Sequence, residues 1–77
     1  MKEWEIRHDA AKRAVGMAPY GSVQYWRNAA KVISVHAGPG MWPETRAKLE
    51  ALAQSSDPET RRIAQQALAG HSYFDDD

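Results

Sequence analysis

An all-helical fold class follows from three features of the sequence. First, Leu, Ile, Val and Phe together make only 11 of 77 residues, whereas alanine alone contributes 13. Alanine is the strongest helix former and lets helices approach closely. Second, glycine and proline fall at intervals that cut the chain into four helix-length segments. Third, the only β-branched run, Val32-Ile33-Ser34-Val35, lies inside a helical pattern. The expectation is a compact four-helix domain of two helical hairpins, with helices at about 2–15, 22–37, 43–54 and 58–69. The domain spans 1–70, and 71–77 form an acidic, aromatic tail. The scarcity of large aliphatics leaves Trp4, Trp26 and Trp42 to supply bulk to the core, since each tryptophan buries about 150–250 Å².

The first segment places Trp4, Ile6, Ala10, Ala11, Ala14, Val15, Met17 and Ala18 on one half of a helical wheel. Glu5, Asp9, Lys12 and Arg13 take the other half. His8 falls at the polar edge and reads as solvated. Gly16 suits a left-handed C-terminal cap, with Pro19 soon after. The second segment opens at Ser22, a favoured N-cap. Val23, Tyr25, Trp26, Ala29, Ala30, Val32, Ile33 and Ala37 share its apolar face, with His36 among them. Gln24, Arg27, Asn28 and Lys31 lie opposite, and Gly38-Pro39-Gly40 ends it.

The third segment opens at Pro43, a residue suited to the first helical position. Thr45, Leu49, Leu52 and Ala53 line one face, and Ser55-Ser56-Asp57 closes it. In the fourth, Asp57 is the N-cap and Pro58 the first helical residue. Thr60, Ile63, Ala64, Ala67 and Leu68 form the inner stripe, and Gly70 ends it. The openings echo one another: Trp42-Pro-Glu-Thr-Arg46 recurs as Asp57-Pro-Glu-Thr-Arg61, 15 residues on. The echo reads as one start signal used twice, with proline at the first position and glutamate against the helix dipole.

Asp57-Pro58-Glu59-Thr60-Arg61-Arg62-Ile63-Ala64-Gln65-Gln66-Ala67-Leu68 resembles the second helix of a HEAT-type repeat, with the segment from Pro43 to Gln54 as its partner helix. The resemblance covers residues 43–70 and has Thr60 where that family usually carries valine. It implies a helical hairpin of the kind often used for protein contacts, and no activity. Leu52 to Thr60 also looks like the turn of a bacterial helix-turn-helix. The second helix would then present Thr60, Arg62, Gln65 and Gln66 to DNA. Gln54 stands where that turn prefers glycine, and one residue too many precedes Thr60.

The chain's chemistry argues against an enzyme. There is no cysteine, and His8, His36 and His71 have no i,i+3 or i,i+4 pairing that would place two metal ligands on one helical face. No glycine-rich phosphate loop is present, and no cofactor is implied. A core this small has little room for a catalytic pocket. No apolar run reaches the roughly 20 residues of a membrane span, and Met1-Lys2-Glu3-Trp4-Glu5 is no signal peptide. The expected location is therefore cytoplasmic.

Charge is balanced at ten Lys+Arg against ten Asp+Glu, but unevenly spread. Between Arg7 and Lys48 seven positive residues face two negative ones, and Asp75, Asp76 and Asp77 close the chain. Lys12, Arg13, Arg27 and Lys31 all point away from the apolar faces. They read either as one basic patch for an acidic partner or nucleic acid, or as a solvated face that keeps an alanine-rich domain in solution. Tyr73-Phe74-Asp75-Asp76-Asp77 reads either as a linear docking motif or as a frayed terminus with Phe74 tucked onto the domain.

The expected function is binding: a small protein-binding regulator or inhibitor acting stoichiometrically. It resembles, in size and style alone, the small proteins of phages and mobile elements such as anti-CRISPR inhibitors. Candidate contact residues are Lys12, Arg13, Tyr20, Arg27, Lys31, Tyr73, Phe74, Asp75, Asp76 and Asp77. The alternative is a helical nucleic-acid-binding protein using the basic patch or the fourth helix. The chain would be a monomer or a homodimer.

Overall fold

The computed structural model describes residues 2–74 and contains four α-helices. α1 spans Glu3–Met17, α2 Val23–Ile33, α3 Pro43–Leu52 and α4 Pro58–Leu68, and a 3-10 turn at Ser34–His36 extends α2. α1 packs on α2 and α3 on α4, forming the two hairpins, and α2 crosses onto α4 to join them. No helix among the described residues is long and apolar enough to cross a membrane.

The helix starts follow the local sequence. The Ser22 hydroxyl oxygen accepts the Tyr25 N–H at 3.1 Å. The Asp57 carboxylate accepts the Thr60 N–H at 2.9 Å. Both satisfy donors that have no partner within the first helical turn.

Two helix ends differ from the sequence expectation. α1 runs through Gly16 to Met17, and Ala18 is the extended residue that ends it (φ −81°, ψ 146°). Pro19 is the cause, because its ring disfavours helical geometry in the residue before it. Gly16 is thus an ordinary helical residue, and the left-handed positions are Gly21, Gly38, Gly40 and Gly70. α2 stops at Ile33 rather than near 37. The Ser34 hydroxyl donates to the Lys31 carbonyl at 2.6 Å, a local bond that competes with regular α-helical pairing.

The core lies where α2, α3 and α4 meet. Ala30, Leu49, Leu52, Ile63, Ala64 and Ala67 are buried there, with Trp26, Ile33, Met41 and Leu68 packed around them. Of the three tryptophans only Trp26 serves this core; Trp4 and Trp42 are exposed. The face of α1 is also rotated from the wheel expectation. Ala11 is its buried residue, Arg7, His8, Ala14 and Val15 are half-buried, and Ile6, Ala10 and Met17 face outward. α1 leans mainly on α2, so only a narrow stripe is covered. His36, expected on the core side, is exposed.

Candidate protein-binding surfaces

Of the four residues expected to form a basic patch on helices one and two, Arg27 is engaged in an ion pair. Arg27 reaches across to the start of α4, where its Nε and a terminal nitrogen donate to the two oxygens of Asp57, each at 2.8 Å. The Asp57 carboxyl is held well below the usual carboxylate range. The Arg27 bond is the chief cause; desolvation opposes it, and the Thr60 N–H and hydroxyl add to it. Arg27 is therefore a structural residue. Lys31 sits with its ammonium 4.8 Å from the centre of the Tyr73 ring, a cation–π distance. Lys12 lines a different groove, beside Trp4, His8, Val32 and His36, and Arg13 is exposed on α1.

The aromatic end of the tail is part of the domain. Phe74 is buried, and the Tyr73 N–H donates to the fully buried Ser34 hydroxyl at 3.0 Å. The Arg7 guanidinium stands 5.7 Å from both the Tyr73 and Phe74 ring centres. His8, expected in solvent, is half-buried between the Trp4 and Phe74 rings. A frayed terminus therefore does not describe Tyr73 and Phe74. Asp75, Asp76 and Asp77 lie outside the described residues.

The helix-turn-helix expectation loses its first contact. Thr60 is fully buried, and its hydroxyl donates to Asp57 at 2.8 Å, so it cannot meet a base edge. Arg62 pairs with Glu59 one turn back. Gln65 and Gln66 are exposed.

Two surfaces that remain open present large side chains. The first is the start of α3. Here the internal echo becomes informative, because its two copies are put to different use. In the second copy Asp57 caps α4, and Arg61 donates to the Ser55 carbonyl at 3.0 Å. In the first copy Trp42 occupies the N-cap, makes no capping bond and is 74% exposed. Arg46, one turn along, is also exposed. A position where Asp or Ser would stabilise the helix instead holds a bare indole.

The second is the corner between α1 and α2. Met17 is 86% and Tyr20 82% exposed, and Val23 is half uncovered. The Tyr20 ring stands 4.9 Å from Tyr25 and 5.9 Å from Trp26, centre to centre. Those two rings head a groove of about 620 Å³ between α2 and α3, lined further by Ala29, Ile33, Lys48, Ala51, Leu52 and Ser55. Of these predicted contacts, only Tyr20 lies at this surface. Trp42, Arg46 and the groove were missed. The signal for Trp42 was in the echo, where the residue before Pro changes from Asp to Trp.

Among the described residues, no group of His, Asp and Glu is placed to hold a metal ion, and every buried side-chain polar atom is hydrogen-bonded. Comparison with protein-family models, curated proteins and solved structures gives no significant match.

Proposed function

We propose that this protein is a non-catalytic regulator or inhibitor that binds a partner protein stoichiometrically, with Trp42 and Arg46 as its anchors. The observation that carries this reading is the exposed indole of Trp42 at a helix N-cap where its counterpart, Asp57, is a capping residue. A local rule of helix stability is broken at a solvent-facing position, and such breaks concentrate where function requires them. Trp and Arg are also the side chains most enriched at the energetic centres of protein interfaces. The pairing of Arg27 with Asp57 and the burial of Thr60 occupy two of the residues named for nucleic-acid reading.

The test is photo-crosslinking in the native host, with a benzophenone amino acid placed at Trp42 and, as a control, at Gln65. The expected result is a discrete protein adduct from position 42, absent from position 65 and lost when Arg46→Glu is added. An adduct with nucleic acid at 42, or no adduct specific to 42, would overturn the reading.

A further inference from the structure

The corner and the groove form a second surface, separate from the start of α3, and they adjoin. Tyr20 touches Tyr25 and Trp26, the two residues that open the groove. A projection beside a recess on the same face is the arrangement a two-fold interface requires, because each copy then offers what the other receives. The chemistry of the projection matches the recess. From Ala14 to Trp26 the chain carries no charged residue, although 26% of the whole is charged. The groove walls are mostly aromatic, aliphatic and alanine, with Ser55 and one charge, Lys48, which has no ion-pair partner among the described residues. The corner supplies a counterpart to that charge. α1 ends at Met17 with no basic residue in its last turn, so the negative end of its dipole is uncompensated.

We propose that the occupant of the groove is a second copy of this chain. The Met17–Val23 corner of each copy enters the α2–α3 groove of the other, and Lys48 of each faces the last carbonyls of the other's α1. Each copy exposes Met17, Tyr20 and Val23 beside the groove, and with the groove walls they form the apolar part of an interface that needs roughly 1,000 Å² in all. A chain with six buried residues in its main core cluster gains stability from such pairing by mass action.

Sedimentation of the full chain between about 1 and 500 µM tests this. The mass is expected to rise from 8.6 kDa towards twice that value. Tyr20→Ala, at an exposed position, is expected to weaken pairing at least tenfold while leaving the helical circular dichroism unchanged, and Lys48→Glu to weaken it as well. The chain has no cysteine, so Met17→Cys and Ala51→Cys proteins can be mixed under mild oxidation. A disulfide between the two variants, forming faster than within either alone, is the expected result. A mass of 8.6 kDa at every concentration overturns the proposal. So does a dimer indifferent to both surface substitutions, or a mixture with no preferred cross-disulfide. None of these outcomes touches the Trp42 crosslink, which tests the partner-binding reading separately.

Discussion

Arg27 and Asp57, thirty residues apart, meet so that one carboxylate does two jobs: it receives both arms of the guanidinium and caps the first turn of α4. The pair ties α2 to the entrance of the second hairpin. Because the folded Asp57 carboxyl ionises well below its ordinary value, its contribution to stability is fully present above the unfolded carboxylate pKa of about 3.9. It is lost as the pH falls from there towards the folded value. Thermal melts from pH 7 down to 2 should show the wild type above Asp57→Asn at neutral pH, with the gap closing below about pH 4. Asp57→Ala should melt lower than Arg27→Ala at pH 7, because it removes the cap as well as the pair.

Trp42→Asp should make the protein more stable and less functional. It restores the cap that α4 already has, worth about 1 kcal/mol, and removes no core contact. Calorimetry should show a rise in Tm of about 4–8 °C for a domain of this size. The same variant should lose the position-specific partner contact.

Ser34→Ala should loosen the end of the chain. Ser34 is fully buried, and its hydroxyl is the acceptor for the Tyr73 N–H. Leaving that donor unpaired costs about 2 kcal/mol. Amide exchange at Tyr73 should accelerate well beyond the effect at Leu49 or Ile63.

The glycines should divide by backbone geometry. Gly16 is helical, and a Cβ there would meet nothing within 4 Å. Gly16→Ala should therefore stabilise by about 0.5–1 kcal/mol. Gly70 has φ +96°, so Gly70→Ala should destabilise by about 1 kcal/mol. Denaturant melts of the two variants should shift in opposite directions.

Core and corner should respond just as differently. Leu49 is wholly buried, and Leu49→Ala should cost about 3 kcal/mol, a large part of the total stability of so short a domain. Tyr20→Ala should cost the single chain no more than about 1 kcal/mol, the worth of its ring contacts with Tyr25 and Trp26. Urea melts at sub-micromolar concentration check both.

The helix starts were legible because their signals are local. Ser22, Pro43, Asp57 and Pro58 act on the residues one to three places away, and the structure uses them as the sequence suggests. The stripe of α4 was legible because it is buried from several sides at once. The face of α1 was not, since alanines dominate it and a single neighbouring helix covers too little to impose a pattern. Arg27 reads as pointing away from the apolar face, but its partner comes from another hairpin, which no spacing rule reaches. The seating of Tyr73 and Phe74 depends on Ser34 and His8, which are also far away in sequence.

The lean of α1 on α2 gives the molecule two tiers of cohesion. Leu49 and Ile63 lie among three helices, whereas α1 is held by an alanine seam on α2 and by the rings that surround His8. The main buried cluster contains no residue of α1, so α1 can separate while that cluster persists, as a step of partial opening. Such an opening would carry Met17 away from Tyr20 and dissolve the corner while leaving Trp42 and the start of α3 in place. One surface of the protein is thus coupled to a detachable part, and the other is anchored to the part that persists.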